Sequence, residues 1–183
     1  MGGFLMQMRS TKFHDAWLIE SNCQRDLRGT FERIFSASSL TSLGLRSDLS
    51  ETSFSTNSKR GTLRGLHYQP APHAETKLVR VVRGAIFDVI LDIRRDSPTF
   101  GQWYGIELAA DSHTSLYIPE GFAHGFLTLC DETSVLYHIT NTYSPEMSMG
   151  VHWQDPVANI DWPFDPVIIS QRDDRLPSLS SIA

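Results

Sequence analysis

The sequence predicts an all-β sandwich or barrel. Three observations carry this: short strand-like runs at close spacing, a single plausible helix, and Pro or Gly clusters between the runs. The 183 residues, 40% hydrophobic and 20% charged, suit one domain spanning 1–183. A chain of this length buries about 70% of the surface exposed when unfolded, enough for a core without covalent staples. No unit recurs at a period of roughly 20–50 residues, so a repeat architecture is out.

The elements follow in chain order. Residues 1–13 read as an N-terminal arm. Asp26-Leu27-Arg28-Gly29 reads as a turn, because glycine tolerates positive φ. Ser36 to Leu45 is the one plausible helix: Ser36 caps it, Leu40 and Leu43 share a face, and Gly44 ends it. Arg64 to Gln69 forms a short strand. On it alternation puts Gly65, His67 and Gln69 on one face and Arg64, Leu66 and Tyr68 on the other. Leu78–Val82 and Ala85–Ile93, separated by Arg83-Gly84, read as a hairpin. In the second run Phe87, Val89, Leu91 and Ile93 share a face, while Asp88 and Asp92 lie with Ile86 and Ile90. Further strands are expected over 101–108, 115–118, 122–129 and 134–140, punctuated by Pro98, Pro119-Glu120-Gly121 and 141–145. The tail, with Pro156, Pro163, Pro166 and Pro177, cannot supply a central strand and is expected to wrap the barrel. Its Ser-rich end, 178–183, reads as flexible.

Charge and composition narrow the function. Sixteen Lys+Arg against 21 Asp+Glu give a net charge of −5, which argues against a nucleic-acid binder but leaves room for a local Arg cluster around a phosphate. The apolar runs fall short of the roughly 20 residues that span a bilayer, so no membrane association is expected. The start lacks a basic n-region, and two cysteines, Cys23 and Cys130, are too few for a disulfide framework; both point to the cytoplasm. There is no P-loop, dinucleotide fingerprint or Gly-x-Ser-x-Gly. Proton transfer without a cofactor, or binding alone, is what remains.

Of seven histidines, two stand in suggestive settings. His67 shares a strand face with a Gly and a Gln, and His124 follows the tight turn at Ile118-Pro-Glu-Gly. Either can act as a base near neutral pH. Tyr137 alternates with apolar neighbours and reads as a core tyrosine or a general acid. The segment leading to His124 resembles the second cupin motif, Pro-x-Gly-x-x-His. The His-x-His of metal-binding cupins does not occur, and the nearest substitute is His73 and Glu75 with His124. His73 falls in a loop-like stretch ill suited to holding a ligand, so no metal is expected.

The ordered motifs then converge. Arg64-Gly-Leu-His67-Tyr-Gln, Lys77-Leu-Val-Arg, Asp92-Ile-Arg-Arg-Asp-Ser-Pro-Thr-Phe-Gly-Gln-Trp103 and Ile118-Pro-Glu-Gly-Phe-Ala-His124-Gly-Phe resemble the dTDP-4-dehydrorhamnose 3,5-epimerase family. So do Tyr143-Ser-Pro and Ile160-Asp-Trp-Pro163, and the resemblance covers roughly Asp26 to Pro177. It implies a metal-free, cupin-type jelly roll with short helices, acting without cofactor as a homodimer on a nucleotide-diphosphate sugar. His67 matches the family's general base, Tyr137 its acid, and Lys77 the residue near the keto oxygen. Asp173 matches the carboxylate that orients the base, with Asp174 the alternative. Arg28, Arg64, His124 and Arg172 match substrate-contacting positions.

The implied reaction inverts C3 and C5 of dTDP-4-dehydro-6-deoxy-D-glucose through an enolate, feeding L-rhamnose synthesis. Two departures stand in ligand-contacting regions: Thr52-Ser53-Phe54 where the family often carries Gln-x-Asn, and Arg33 where it often has Glu. Three alternatives remain open at this point. One is a mono-epimerase of C3 or C5 on a dTDP- or GDP-linked 4-keto sugar. The others are a metal-dependent cupin oxygenase and a non-catalytic sugar-nucleotide binding module.

Overall fold

A computed structural model describes residues 6–182. Residues 1–5 of the expected arm, and residue 183 of the tail, lie outside the described residues. The chain opens with β1 (Gln7–Ser10) and β2 (Trp17–Glu20), then a small hairpin of β3 (Gln24–Asp26) and β4 (Gly29–Phe31). Helix α1 (Ala37–Ser42) leads to β5 (Glu51–Asn57), β6 (Leu63–Tyr68), β7 (Lys77–Arg83) and β8 (Ala85–Asp92). After these come β9 (Trp103–Ala109), β10 (Thr114–Ile118), β11 (Phe122–Thr128), β12 (Thr133–Ile139) and β13 (Met149–Gly150). Helix α2 (Leu179–Ile182) closes the chain.

Two antiparallel sheets make the barrel, a six-stranded one ordered β1-β2-β10-β7-β12-β5 and a five-stranded one ordered β13-β6-β11-β8-β9. Their inner faces share one core. Val79 and Val81 of β7, Leu116 of β10 and Val135 of β12 pack with Ile86 and Ile90 of β8 and Phe126 of β11. Each such side chain contributes about 1.5–3 kcal/mol by leaving water. This is one of the all-β architectures the strand pattern predicts, in the jelly-roll form that the resemblance implies.

The stretch 78–93 corrects one expectation. β7 and β8 do not pair: β7 lies between β10 and β12, and β8 between β11 and β9. A two-residue turn is the usual minimum for a hairpin, and only Gly84 separates these strands. Its φ of 75° turns the chain from one sheet to the other, and a Cβ there would sit 2.4 Å from Thr133 Oγ1.

The expected face of β8 with Phe87, Val89 and Leu91 turns outward, and it is covered. Leu63, Leu66, Val151, Trp153, Ala158 and Leu179 form a second core there, so the proline-rich tail wraps this sheet as expected. The tail is tied down by a parallel bridge between Thr62 and Ile168. Its Ser-rich end, which composition reads as flexible, forms α2, with Leu179 buried and its N–H donating to Asp155 Oδ2 at 2.8 Å. The described part of the arm likewise joins the fold: β1 pairs with β2, and Phe13 packs edge-on against Phe122 in the inner core.

The helix matches its reading closely. Ser36 Oγ accepts from the Ser39 N–H at 3.3 Å, and Leu40 packs under the outer face of the six-stranded sheet with Ile19, Leu78 and Tyr117. No helix among the described residues is long and apolar enough to cross a membrane.

Candidate active site

Above the inner core the barrel opens into a cavity of about 380 Å³. The five-stranded sheet supplies Arg64 and His67 from β6 and His124 from β11; the six-stranded sheet supplies Lys77 from β7 and Tyr137 from β12. Simple alternation puts Arg64 and His67 on opposite faces, yet both line the cavity. The reason is a register shift: His67 pairs with His124 and Arg64 with Phe126, so three steps on β6 span two on β11. One extra residue of this kind re-aims a side chain.

Gly65 lies inside this irregularity. Its φ is 121°, and a Cβ would come within 2.5 Å of Gly125 Cα. The absence of a side chain lets the Gly65 N–H reach Asp173 Oδ2 at 3.1 Å. The other carboxylate oxygen of Asp173 meets His67 Nε2 at 2.7 Å. Asp173 arrives on a one-turn helix, Asp173–Arg175, from the wrapped tail, and its side chain is buried. Burial pushes its carboxyl upward, but hydrogen bonds from His67, Gly65 and Ser170 outweigh that and hold it below the usual carboxylate value. It therefore stays ionised, fixes the His67 proton on Nε2 and leaves Nδ1 with the free lone pair. Asp174 is exposed and points elsewhere; Asp173 is the partner of His67.

Tyr137 faces the cavity from the opposite wall. Its phenol oxygen lies 3.4 Å from Ser55 Oγ, and the His124 ring packs edge-on at 6.3 Å. Burial pushes the phenol well above its ordinary value, so it is held as the acid form. Lys77 Nζ pairs with Glu75 Oε1 at 2.8 Å, and Gln69 Nε2 donates to the second Glu75 oxygen at 3.1 Å. His124 Nε2 meets Asp88 Oδ1 at 2.6 Å, with both side chains buried. Arg64 is braced by Asn57, its Nε donating to Oδ1 at 2.8 Å. Arg172 holds Ser148 through two bonds at 2.6 and 3.0 Å and stands at the cavity mouth beside Tyr143.

Arg28 is the predicted residue that the chain does not bring to its own cavity. It sits at the turn between β3 and β4, its side chain 90% exposed and paired with Asp26 at 2.6 Å. The alternative metal set does not assemble either. His73 is exposed in a turn, Glu75 is engaged by Lys77 and Gln69, and His124 by Asp88. Sequence reasoning missed Asp88 and gave Glu75 only a metal role. The signal for Asp88 was present: a carboxylate between Ile86 and Ile90 on an inward face needs a buried partner.

A jelly-roll barrel whose cavity is lined by a histidine and a tyrosine from facing sheets, with arginines among its lining residues, defines the class, a cupin-type barrel with a polar central cavity. The profile of the dTDP-4-dehydrorhamnose 3,5-epimerase family matches residues 10–181, and the chain belongs to that family. It is 41% identical over 169 residues to the dTDP-4-dehydrorhamnose 3,5-epimerase of Shigella flexneri, covering 92% of this chain and 93% of that one. The Bacillus anthracis enzyme, crystallised with TDP and PPi, superposes with a TM-score of 0.92 at 43% identity, covering 95% of this chain and 99% of that one. A Legionella pneumophila dTDP-6-deoxy-D-glucose-3,5-epimerase in complex with dTDP-4-keto-L-rhamnose superposes at 0.93 with 38% identity, covering 98% and 95%.

Proposed function

We propose that this chain is a cofactor-independent epimerase that inverts C3 and C5 of dTDP-4-dehydro-6-deoxy-D-glucose to give dTDP-4-dehydro-L-rhamnose. One observation carries the reading: His67 and Tyr137 line the same cavity from facing sheets. Inversion needs a base on one side of the sugar ring and an acid on the other, and opposed walls supply that geometry.

His67 Nδ1 removes the hydrogen from a carbon next to the C4 ketone, and the bonding pair moves into the carbonyl as an enolate. Lys77, at the keto oxygen, stabilises the charge that develops there; one such preorganised donor is worth about 3 kcal/mol. Tyr137 then delivers its proton to the opposite face of the carbon. Asp173 stabilises the imidazolium, as a buried carboxylate does behind a catalytic histidine. Arg64 and Arg172 hold the diphosphate, for which a planar guanidinium fork is suited, and His124 contacts the sugar.

The protein works as a homodimer in the cytoplasm. Arg28, exposed on a hairpin away from its own cavity, serves the cavity of the partner subunit in this reading. The experiment is incubation of the substrate in D2O followed by NMR. Deuterium at both C3 and C5 is expected. Deuterium at one carbon alone would make the enzyme a mono-epimerase, and none with any dTDP- or GDP-linked 4-keto sugar would sink the assignment.

A further inference from the structure

Inverting two carbons with one base and one acid creates a proton problem within a single substrate visit. After the first inversion His67 is an imidazolium and Tyr137 a phenolate, so neither can act again. His67 must lose a proton and Tyr137 must gain one before the second carbon turns over. The two sides of the cavity are differently placed for this exchange. His67 is partly exposed and also borders an adjoining cavity of about 330 Å³, which gives its proton a way out. Tyr137 has one hydrogen-bond partner for its phenol oxygen among the described residues, Ser55.

We propose that Ser55 is the relay through which Tyr137 is reprotonated between the two inversions. This rests on the epimerase reading above. Ser55 belongs to β5, the outermost strand of the six-stranded sheet, whose far edge pairs with no strand among the described residues. It lines the cavity, is only partly buried, and sits diagonally across the strand pair from Tyr137. A hydroxyl accepts and donates at once, so it passes a proton without holding a charge. The step balances with solvent water as the co-reactant. The phenolate takes the Ser55 proton, Ser55 takes one from water, and the hydroxide left behind is neutralised by the proton His67 releases. The other groups beside Tyr137 are poor proton donors: Asp88 holds His124 through one oxygen and its second, unpartnered oxygen only accepts, while the Arg64 guanidinium does not give up a proton. Ser55 touches the acid and not the reacting carbon, so it is a positioning residue.

The test compares wild type, Ser55→Ala and Ser55→Thr with the dTDP-4-keto-6-deoxy sugar in D2O. In a single turnover Ser55→Ala should keep the rate of deuterium entry at the first carbon within about twofold. The second inversion should slow by about tenfold, the scale of a weakened proton-transfer step. Once-inverted sugar should then appear in the released product, and the solvent isotope effect on double inversion should rise. Ser55→Thr, which keeps the hydroxyl, should restore double inversion. Wild-type product ratio and isotope effect in Ser55→Ala would overturn the relay, as would equal slowing of both inversions without rescue by Thr. Failure of wild type to take up deuterium at either carbon would instead overturn the epimerase reading on which the relay stands.

Discussion

His67 acquires its direction from two contacts made by one carboxylate, and the cost of losing them can be stated. Asp173→Asn keeps the shape but removes the charge that orders the imidazole, and it should lower kcat by about 10³–10⁴-fold. A thermal melt near that of wild type would separate this from unfolding. The pH dependence has a definite sign. The Asp173 carboxyl sits lower in the fold than its ordinary value of 3.8, so its stabilisation is complete above that value and drains away as pH falls through the lower one. Wild type should therefore lose stability relative to Asp173→Asn only below about pH 4, where denaturation midpoints of the two converge. Tyr137→Phe should spare hydrogen removal more than inversion, so that deuterium exchange outlasts product formation. At this scale the motifs singled out His67 and Lys77, which line one cavity, whereas Tyr137 lies outside those motifs and its apolar alternation left it open between a core residue and an acid. The sequence was ambiguous between Asp173 and Asp174, because adjacent identical side chains differ only in the turn of the one-turn helix that aims them.

Strand β6 shows how one local irregularity decides what a site contains. A regular strand keeps Arg64 away from His67, whereas the extra residue opposite β11 brings both to the cavity. Gly65→Ala should then be costly twice over, since it demands a positive φ and drives a Cβ into the Gly125 backbone. A destabilisation of about 3 kcal/mol in urea unfolding is expected, with loss of the Asp173 contact. The loop after β8 is a second sensitive element. Asp92 is fully buried and accepts from Arg94 at 2.8 and 2.9 Å and from Ser97 and Thr99 at 2.6 Å. Burial pushes its carboxyl upward, yet these donors hold it at about 2. Asp92→Asn should cost about 2–3 kcal/mol by leaving Arg94 partly unpaired, measured by the same unfolding curve. Elements with apolar alternation, such as β8 and β12, were legible from composition. β5 was not, because Glu51-Thr-Ser-Phe-Ser-Thr-Asn57 is an edge strand with few apolar residues to mark its phase. The β7–β8 corner misled for a different reason: two strand-like runs around a glycine look alike whether the chain turns back or crosses over.

Across the whole molecule, both faces of the five-stranded sheet are covered, one by the other sheet and one by the tail. That architecture was visible in the many short strands and the prolines after Gly150, whereas the assembly of the cavity from five separate strands was not visible without the family motifs. Arg28 supplies a test at this scale. If each hairpin serves the other subunit, Arg28→Ala and His67→Asn are each inactive as homodimers, while a refolded equal mixture should recover about a quarter of wild-type activity through heterodimers. No recovery in the mixture would place Arg28 outside the partner's cavity. The wrapped tail has a last consequence, because it carries Asp173 to a histidine 106 positions earlier in the chain. A polypeptide emerging from the ribosome can pair β6 with β11 long before that carboxylate exists. If Asp173 orients the base as proposed, chemistry is withheld until residue 173 has been made, and a product ended before it lacks the partner of His67.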